Sequence, residues 1–378
     1  MSKNKILFFV NVDWFFVSHR LPIAVAAFKA GFEVHVVTTM TGKENILRKA
    51  GFILHDVPIS RGNASPFSYL KTISEIVKIF RNVKPDLVHL ITIKPILLGG
   101  IAARIVGIHG VIAAISGMGY VFINKGLIAS IRKWTVKLLY NISLGHKNLR
   151  VICQNLNDLD DIQKATKLPN RSFTVIDGSG ISLKNFQYTV DTNKIPKVIM
   201  ASRMLKDKGV LEFVEAARII KNANIQVSFI LVGSPDPDNP SSITMSQIQD
   251  WTEKNILEFW GHQEDMNQIL GQASIIVLPS YREGFPKVLI EAAAVGRPVV
   301  TTDVAGCRDA IYNGVTGVLV PAKDSNALAE AIKKLLVSPE TCYKMGKEGR
   351  KMAEKRFDEK ITIERHLSIY DQVLSGGE

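Results

Sequence analysis

Two carboxylates in the second half of the chain have a spacing that suits the binding of one long ligand. Glu283 and Glu291 are eight residues apart in the stretch IIVLPSYREGFPKVLIEAAAVGRPV, which begins at Ile275. In a regular helix they lie roughly 12 Å apart at ~1.5 Å per residue, which exceeds the ~5 to 10 Å that separates paired carboxylates in glycoside hydrolases. The N–H groups at the amino terminus of this helix would attract a phosphate lying between the two contacts.

Two cations precede this stretch on one loop. Arg203 and Lys208 follow a predicted strand, Lys197–Ala201, at its carboxyl end. A guanidinium and an ammonium five residues apart can clamp a diphosphate, although a solvated turn would look the same in sequence. The next predicted strand ends at Gly233 and Ser234, where a glycine permits close approach of the backbone to a ligand.

The chain offers few residues that suggest metal or covalent chemistry. Asp236-Pro237-Asp238 has the spacing of a metal-binding Asp-x-Asp, but its proline-rich setting favours a plain turn. No side chain stands out as a covalent nucleophile. We therefore expect no metal and no cofactor.

Alternating strands and helices position these residues. Predicted strands alternate with helices in both halves, which predicts parallel sheets covered on both faces. We expect two doubly wound, Rossmann-like α/β domains facing a cleft, residues 1–180 and 181–378, with the joint near Gly180–Pro196 and the last helix able to cross back to the first domain. The predicted elements include the strands Lys5–Asn11, Glu33–Thr38, Leu87–Leu90 and Ile275–Leu278 and the helices Ser18–Ala30 and Gly99–Val106.

Composition narrows the functional class. The formal net charge is +12, and residues 1–180 hold 23 Lys and Arg against 10 Asp and Glu. This asymmetry points to an anionic partner such as a membrane surface, nucleic acid or a phosphorylated substrate, or else to solubility alone. The three scattered cysteines indicate a reducing cytoplasm. We find no apolar stretch of ~18 residues that would span a membrane.

Three groups of residues carry a family resemblance in the second half. They are Arg203…Lys208-Gly209, Glu283-Gly284-Phe285-Pro286…Glu291, and Asp303…Gly306…Asn313-Gly314-Val315-Thr316-Gly317. Together they resemble retaining nucleotide-sugar glycosyltransferases of the GT-B fold, family four, whose E-x7-E signature the two glutamates match. The first half resembles bacterial transferases that extend a sugar on undecaprenyl diphosphate, including α-1,3-N-acetylgalactosaminyltransferases. Its matching stretches are Ser18–Pro22, Ile59–Pro66 and Gly117–Tyr120.

The resemblance implies a role for each donor-site residue. Glu283 would hold hydroxyls of the donor sugar, and Glu291 the ribose hydroxyls of a nucleotide, UDP by family habit. Arg203 and Lys208 would neutralise the departing diphosphate without a metal. Further donor contacts would come from Gly284, Phe285, Pro286, Lys287, Gly233 and Ser234.

The first half would receive a lipid-diphosphate-linked sugar. His19, Arg20 and Arg61 follow strand ends and could bind its diphosphate, although His19 could instead pack locally. His89 lies late in a strand and is either a buried structural histidine or a group near the reacting hydroxyl. Relatives often carry a Gly-Gly pair after the first strand. This chain has Asn11-Val12-Asp13-Trp14-Phe15, which makes Asp13 an acceptor or sugar contact instead.

A basic amphipathic helix over Asn124–Lys147 suggests a peripheral enzyme on the inner face of a bacterial membrane, or else a helix packed on the core.

Two other functions compete with sugar transfer. A nucleotide-sugar epimerase shares the architecture but is not expected to carry the glutamate pair together with Arg203 and Lys208. A nucleic-acid binder would explain the basic half, but no basic-aromatic platform is visible, so we expect no nucleic acid.

Overall fold

The computed structural model describes residues 3–59, 66–117 and 138–376 and divides them into two units. One unit comprises Met1–Ser179 together with Lys360–Glu378, and the other comprises Gly180–Glu359. The carboxyl-terminal segment thus belongs with the amino-terminal half of the chain. Arg61 and most of the predicted helix Asn124–Lys147 lie outside the described residues.

The first unit is built on a seven-stranded sheet in the order β3-β2-β1-β4-β5-β6-β7, and all the neighbouring strands are parallel. Apolar residues of these strands form one core cluster on each face. The strands are β1 (Lys5–Val12), β2 (Glu33–Thr39), β3 (Ile53–Asp56), β4 (Leu87–Ile91), β5 (Gly110–Ile115), β6 (Leu149–Cys153) and β7 (Phe173–Val175). The helices of this unit include α1 (Asp13–His19), α2 (Leu21–Lys29), α3 (Glu44–Lys49), α4 (Pro66–Val83), α5 (Ile93–Val106), α6 (Leu156–Ala165) and, from Lys360 onward, the carboxyl-terminal helix Glu359–Leu374.

The second unit is built on a six-stranded parallel sheet in the order β10-β9-β8-β11-β12-β13. One continuous core cluster surrounds it. The strands are β8 (Lys197–Ala201), β9 (Ser228–Val232), β10 (Glu258–Gly261), β11 (Ile275–Leu278), β12 (Val299–Thr302) and β13 (Gly317–Val320). The helices are α7 (Val210–Asn222), α8 (Met245–Glu253), α9 (Met266–Gly271), α10 (Lys287–Val295), α11 (Ser325–Leu336) and α12 (Pro339–Met352).

Two predicted helices differ from the observed ones. The helix predicted over Ser18–Ala30 is in fact α1 and α2, because Arg20 between them has a non-helical backbone (φ −131°, ψ −15°) and Pro22 supplies no N–H to continue the first helix. Asp13 therefore begins a helix instead of lying in a loop. The helix predicted over Gly99–Val106 begins at Ile93, six residues earlier.

Candidate active site

The candidate site of the second unit forms where two neighbouring strands end. β8 and β11 pair in parallel, with Val198 opposite Ile275, although thirteen-residue α7 and two further strands separate them along the chain. The strand order reverses between them, and open parallel sheets bind ligands at the carboxyl edge where this happens. Lys208 follows β8 and Glu283 follows β11, so the topology brings them to the same place.

Lys208 and Glu283 form an ion pair at this edge. The Lys208 Nζ atom lies 2.5 Å from Glu283 Oε1, and the two side chains are only 19% and 11% exposed. At such low exposure the attraction between the charges is stronger than it would be in water, and removal of one partner leaves the other charge uncompensated. This pair brings together two residues that are 75 positions apart in sequence.

Contacts of the residues on both sides of Lys208 fix the position of its backbone. Gly209 has a left-handed backbone (φ +79°), and a Cβ atom there would lie 2.1 Å from the carbonyl oxygen of Pro279. The carbonyl oxygen of Asp207 accepts hydrogen bonds from the Tyr281 N–H at 2.9 Å and from the Ser280 hydroxyl at 3.1 Å. The loops after β8 and β11 therefore pack directly on each other.

The loop after β12 supports the Glu283 turn. Gly306 has φ +78°, and a Cβ atom there would lie 2.6 Å from the Glu283 carbonyl oxygen. The Glu283 N–H donates to the Ala305 carbonyl at 3.3 Å. The Thr302 hydroxyl donates to the Ser280 carbonyl, which holds the start of the turn. The glycine-containing turn at 303–309 thus supports the backbone of Glu283.

Helix α10 begins immediately after this turn. Pro286 is the residue before the helix, and its side chain has no acceptor to cap the first N–H groups. Phe285 is buried, with its ring edge-on to that of Phe357 at 5.6 Å, and this contact anchors the helix start. Gly296 ends the helix in a left-handed conformation (φ +77°), which is common for a glycine after the last helical residue.

Glu291 lies on the second turn of α10 and is buried, with 6% of its surface exposed. Burial raises the pKa of its carboxyl group, while the nearby Lys287 ammonium, 3.6 Å from Oε1, opposes that rise. A buried carboxylate beside a cation can accept hydrogen bonds from ligand hydroxyls, which is the role the sequence predicts for Glu291.

Arg203 has a different partner from Lys208. Its Nη1 atom donates to Asp236 Oδ2 at 2.9 Å, and its side chain is 50% exposed. Gly233 (φ +135°) makes this close packing possible, because a Cβ atom there would lie 1.9 Å from the Ser202 carbonyl oxygen. The Ser234 carbonyl accepts the Met204 N–H at 3.0 Å. The sequence treated Asp236 as a turn residue and missed this pairing.

Asp13 of the first unit is buried and bonded within the protein. Its Oδ2 atom accepts the N–H groups of Thr41 at 2.7 Å and Lys43 at 2.9 Å, and Oδ1 accepts the Trp14 N–H and the Thr41 hydroxyl. Burial acts to raise the pKa of Asp13, but these hydrogen bonds outweigh it and hold the pKa below its usual value. The carboxylate joins the ends of β1 and β2, which leaves it little capacity to contact a ligand.

Arg20 is a buried cation in the same unit, with 2% of its surface exposed. Its guanidinium donates to the His19 carbonyl at 3.0 Å and the Ser116 hydroxyl at 3.2 Å, and its Nε atom has no partner among the described residues. Burial lowers its pKa to about 10. The His19 ring stacks on Phe15 at 4.2 Å, as its local-packing alternative predicted.

His89 lies in the interior of the first unit. It is fully buried, and its Nδ1 atom is 2.8 Å from the Tyr370 hydroxyl of the carboxyl-terminal helix. Its ring also stacks on that of His366 at 5.7 Å. These contacts match the structural alternative for His89 and place it away from any exposed surface where an acceptor would bind.

Comparisons with known proteins identify the family. Residues 195–338 match the family described as "Glycosyl transferases group 1", and residues 5–155 match "Glycosyl transferase 4-like". The capsular polysaccharide biosynthesis glycosyltransferase CapM of Staphylococcus aureus is 30% identical, over 93% of this chain and 92% of its own. The chain is a glycosyltransferase.

Two further relatives of this glycosyltransferase have more specific names. The N,N'-diacetylbacillosaminyl-diphospho-undecaprenol α-1,3-N-acetylgalactosaminyltransferase of Campylobacter jejuni is 28% identical over 94% of this chain and 95% of its own. The UDP-Gal:α-D-GlcNAc-diphosphoundecaprenol α-1,3-galactosyltransferase of Escherichia coli is 26% identical over 74% and 73%. The resemblance stated from the sequence is thereby confirmed at the level of the family.

The fold of the glycosyltransferase is GT-B. Sucrose-phosphate synthase from Thermosynechococcus elongatus superimposes with a TM-score of 0.80, at 21% identity over 99% of this chain and 100% of its own. This likeness confirms the predicted fold class of two doubly wound α/β domains.

The described part of the glycosyltransferase chain, residues 3–59, 66–117 and 138–376, contains no group of three or more His, Cys, Asp or Glu side chains arranged to hold a metal ion. None of its helices there is both long and apolar enough to cross a bilayer.

The sequence did not predict the backbone of Thr92, which follows β4 with a positive φ (+71°) that is rare for a β-branched residue. A threonine gives no signal of such a conformation in sequence, because positive φ is usual for glycine instead.

Proposed function

We propose that this glycosyltransferase moves a sugar, a HexNAc such as GalNAc, from a UDP-sugar to an undecaprenyl-diphosphate-linked saccharide with retention of anomeric configuration. The observation that carries the proposal is the Lys208–Glu283 ion pair at the carboxyl edge of the second sheet, beside the amino terminus of α10. The names of the Campylobacter jejuni and Escherichia coli relatives, both of which act on undecaprenol-linked diphosphates, support the acceptor class.

The donor would exchange the internal ion pair for contacts with itself. Glu283 would accept hydrogen bonds from sugar hydroxyls, and Lys208 would turn toward the negatively charged diphosphate, so that each charged group keeps a hydrogen-bond partner. Glu291 would hold the ribose hydroxyls about one turn into α10. Arg203, half-exposed and paired with Asp236, would leave that surface pair at small cost to meet the diphosphate.

The chemical step breaks the bond between the anomeric carbon and the diphosphate oxygen, and the bonding electrons leave with the diphosphate. The acceptor hydroxyl forms the new bond on the same face, and its proton passes to the departing phosphate oxygen. Lys208, Arg203 and the α10 amino terminus would stabilise the charge that develops on the leaving group. Because these groups supply positive charge at the leaving oxygen, we propose that the reaction needs no metal.

The acceptor would bind to the first unit, where Arg20 and Arg61 are the candidate contacts for its diphosphate. A membrane surface would present that lipid. Phe67 and Leu70 on helix α4 are 82% and 63% exposed and neighbour the exposed Lys71. Apolar side chains beside a cation favour the headgroup region of an anionic bilayer. We propose a peripheral association with the cytoplasmic membrane face.

The test is an assay with a panel of UDP-sugars and a short undecaprenyl-diphosphate-linked sugar, with and without EDTA, and with the product linkage read by NMR. A single α-linked product whose rate EDTA leaves unchanged is the expected result. Donor alone should remain unconverted, because formation of a new sugar nucleotide without acceptor would indicate an epimerase. Glu283→Gln should abolish transfer in a folded protein, and a β-linked product would refute the retaining step.

The membrane association is tested separately by cosedimentation with vesicles of phosphatidylglycerol and phosphatidylethanolamine. Replacing Phe67 and Leu70 together by serine should weaken binding to these vesicles. Val337→Ser is the matched control, because Val337 is 75% exposed on the second unit. Equal binding by the double variant and the control would refute the assignment of α4 as a membrane contact.

A further inference from the structure

A cavity of about 680 Å³ opens in the second unit on the opposite edge of the sheet from the candidate donor site. Its wall includes Ile275, the first residue of β11, and Pro298, which precedes β12. The residues assigned to the donor follow the carboxyl ends of β8, β9 and β11, and none of them lines this cavity. The volume lies within the ~300 to 1,000 Å³ that is usual for small-molecule sites.

The charged residues that line the cavity cancel one another. Asp191 and Glu340 carry negative charge, and Arg297 and Lys344 carry positive charge. Because the formal sum is zero, an ionic ligand would lose its hydration without a net Coulomb gain. An uncharged ligand has much less hydration free energy to lose, so the zero net charge disfavours it less. The cavity therefore favours a neutral molecule that can use charged groups as hydrogen-bond partners.

Arg297 is held rigidly in the wall of this cavity. It is 2% exposed, and its Nη1 and Nη2 atoms donate at 2.5 Å to the carbonyl oxygens of Thr189 and Gly271. Its Nε atom is buried without a hydrogen-bond partner among the described residues. The guanidinium thus ties together the segments that form the wall, and it retains one unsatisfied donor.

Two tyrosine rings supply flat apolar surface. Tyr188 and Tyr343 line the cavity and are 36% and 52% exposed. The Tyr188 ring packs tightly against Gly296, where a Cβ atom would lie 2.4 Å from the ring. Aromatic faces stack on the C–H surface of a pyranose, and carboxylates accept hydrogen bonds from its hydroxyls. The combination of rings and charge-balanced polar groups suits the binding of a saccharide.

We propose that this cavity binds an uncharged saccharide at a second site, separate from the donor and acceptor sites. Tyr343 would stack on the sugar ring, and Glu340 and Asp191 would accept hydrogen bonds from its hydroxyls. The site does not depend on which donor or acceptor the enzyme uses.

Saturation-transfer NMR with the full-length protein tests the proposal. The probes are the methyl glycosides of glucose, galactose, N-acetylglucosamine and N-acetylgalactosamine, together with lactose. At least one probe should bind saturably to the wild type and to Glu283→Gln, which alters the donor site alone. Its affinity should fall about tenfold or more in Tyr343→Ala, a loss of about 1.4 kcal/mol.

Two further variants make the outcome decisive. Glu340→Gln keeps the size of the side chain and should also weaken binding, whereas Tyr312→Ala, at a 48% exposed tyrosine outside the cavity, should not. Failure of every probe to bind would overturn the proposal. So would binding that survives both Tyr343→Ala and Glu340→Gln, or binding that Glu283→Gln removes.

Discussion

Replacing Lys208 by methionine tests the centre of the candidate donor site. The substitution keeps an unbranched side chain of nearly the same length and removes the ammonium that lies 2.5 Å from Glu283 Oε1. An exposed ion pair contributes ~0 to 1 kcal/mol, and loss of one partner from a fully buried pair costs ~3 to 5 kcal/mol. Because the two side chains retain 19% and 11% exposure, we expect the free energy of unfolding to fall by about 1 to 3 kcal/mol.

The effect of this substitution on turnover should be larger than its effect on stability. Loss of one group that stabilises developing negative charge costs about 10² to 10³ in kcat. Because Lys208 would act on charge that grows as the diphosphate leaves, kcat should fall more than KM for the donor rises. Initial rates of sugar transfer over a range of donor concentrations, measured beside a urea unfolding curve, give both quantities.

Two comparison variants separate the structural role of the ion pair from the catalytic one. The double variant Lys208→Met/Glu283→Gln removes both charges and should regain most of the lost stability without regaining activity. Lys206→Met, two residues earlier and exposed, should retain wild-type rates. The reasoning is refuted if the single Lys208 variant turns over at a near-normal rate, or if Lys206→Met loses as much activity.

Three other outcomes follow from the structure. Burial lowers the pKa of His89 well below its usual range and that of His366 to about 3. The unfolded chain therefore takes up protons that the folded chain does not, and the free energy of unfolding should fall as pH drops below ~6.5, by about 1.4 kcal/mol per histidine per pH unit. Urea unfolding midpoints at several pH values measure this fall, and His366→Phe should make the dependence of stability on pH less steep. Gly233→Ala would place a Cβ atom 1.9 Å from a carbonyl oxygen and should lower the free energy of unfolding by more than about 3 kcal/mol. Gly314→Ala, with open space around the added Cβ atom, should lower it by about 1 kcal/mol. Equal melting temperatures of the two variants would contradict this expectation. Glu291→Gln should raise KM for the nucleotide sugar with little change in kcat, and a selective loss of kcat would place Glu291 at the reacting centre instead.

Much of the second unit was predictable from sequence because local signals agree with one another there. The predicted strand Ile275–Leu278 matches β11 at both ends, and a glycine, Gly296, ends α10. A short apolar run, a turn with glycine and proline, and an alanine-rich helix each favour the same local structure, so no tertiary contact has to override them.

The first unit was harder to predict because its elements depend on contacts that are distant in sequence. Asp13, which the sequence predicts as an acceptor or sugar contact, begins α1, and its carboxylate accepts hydrogen bonds from Thr41 and Lys43, which follow another strand. His89 is buried against Tyr370, 281 positions away. No local pattern of residue types encodes such partners.

The sequence by itself determined the class of fold, the family and the residues that could carry charge, because periodicity and residue type are local properties. Tertiary structure decided which charges meet. Lys208 lies beside Glu283, and Arg203 beside Asp236, because parallel pairing of β8 with β9 and β11 brings the carboxyl ends of distant strands to one edge. The balance of four charges around the cavity at the opposite edge likewise arises only once the chain is folded, since electrostatic interaction depends on distance in space.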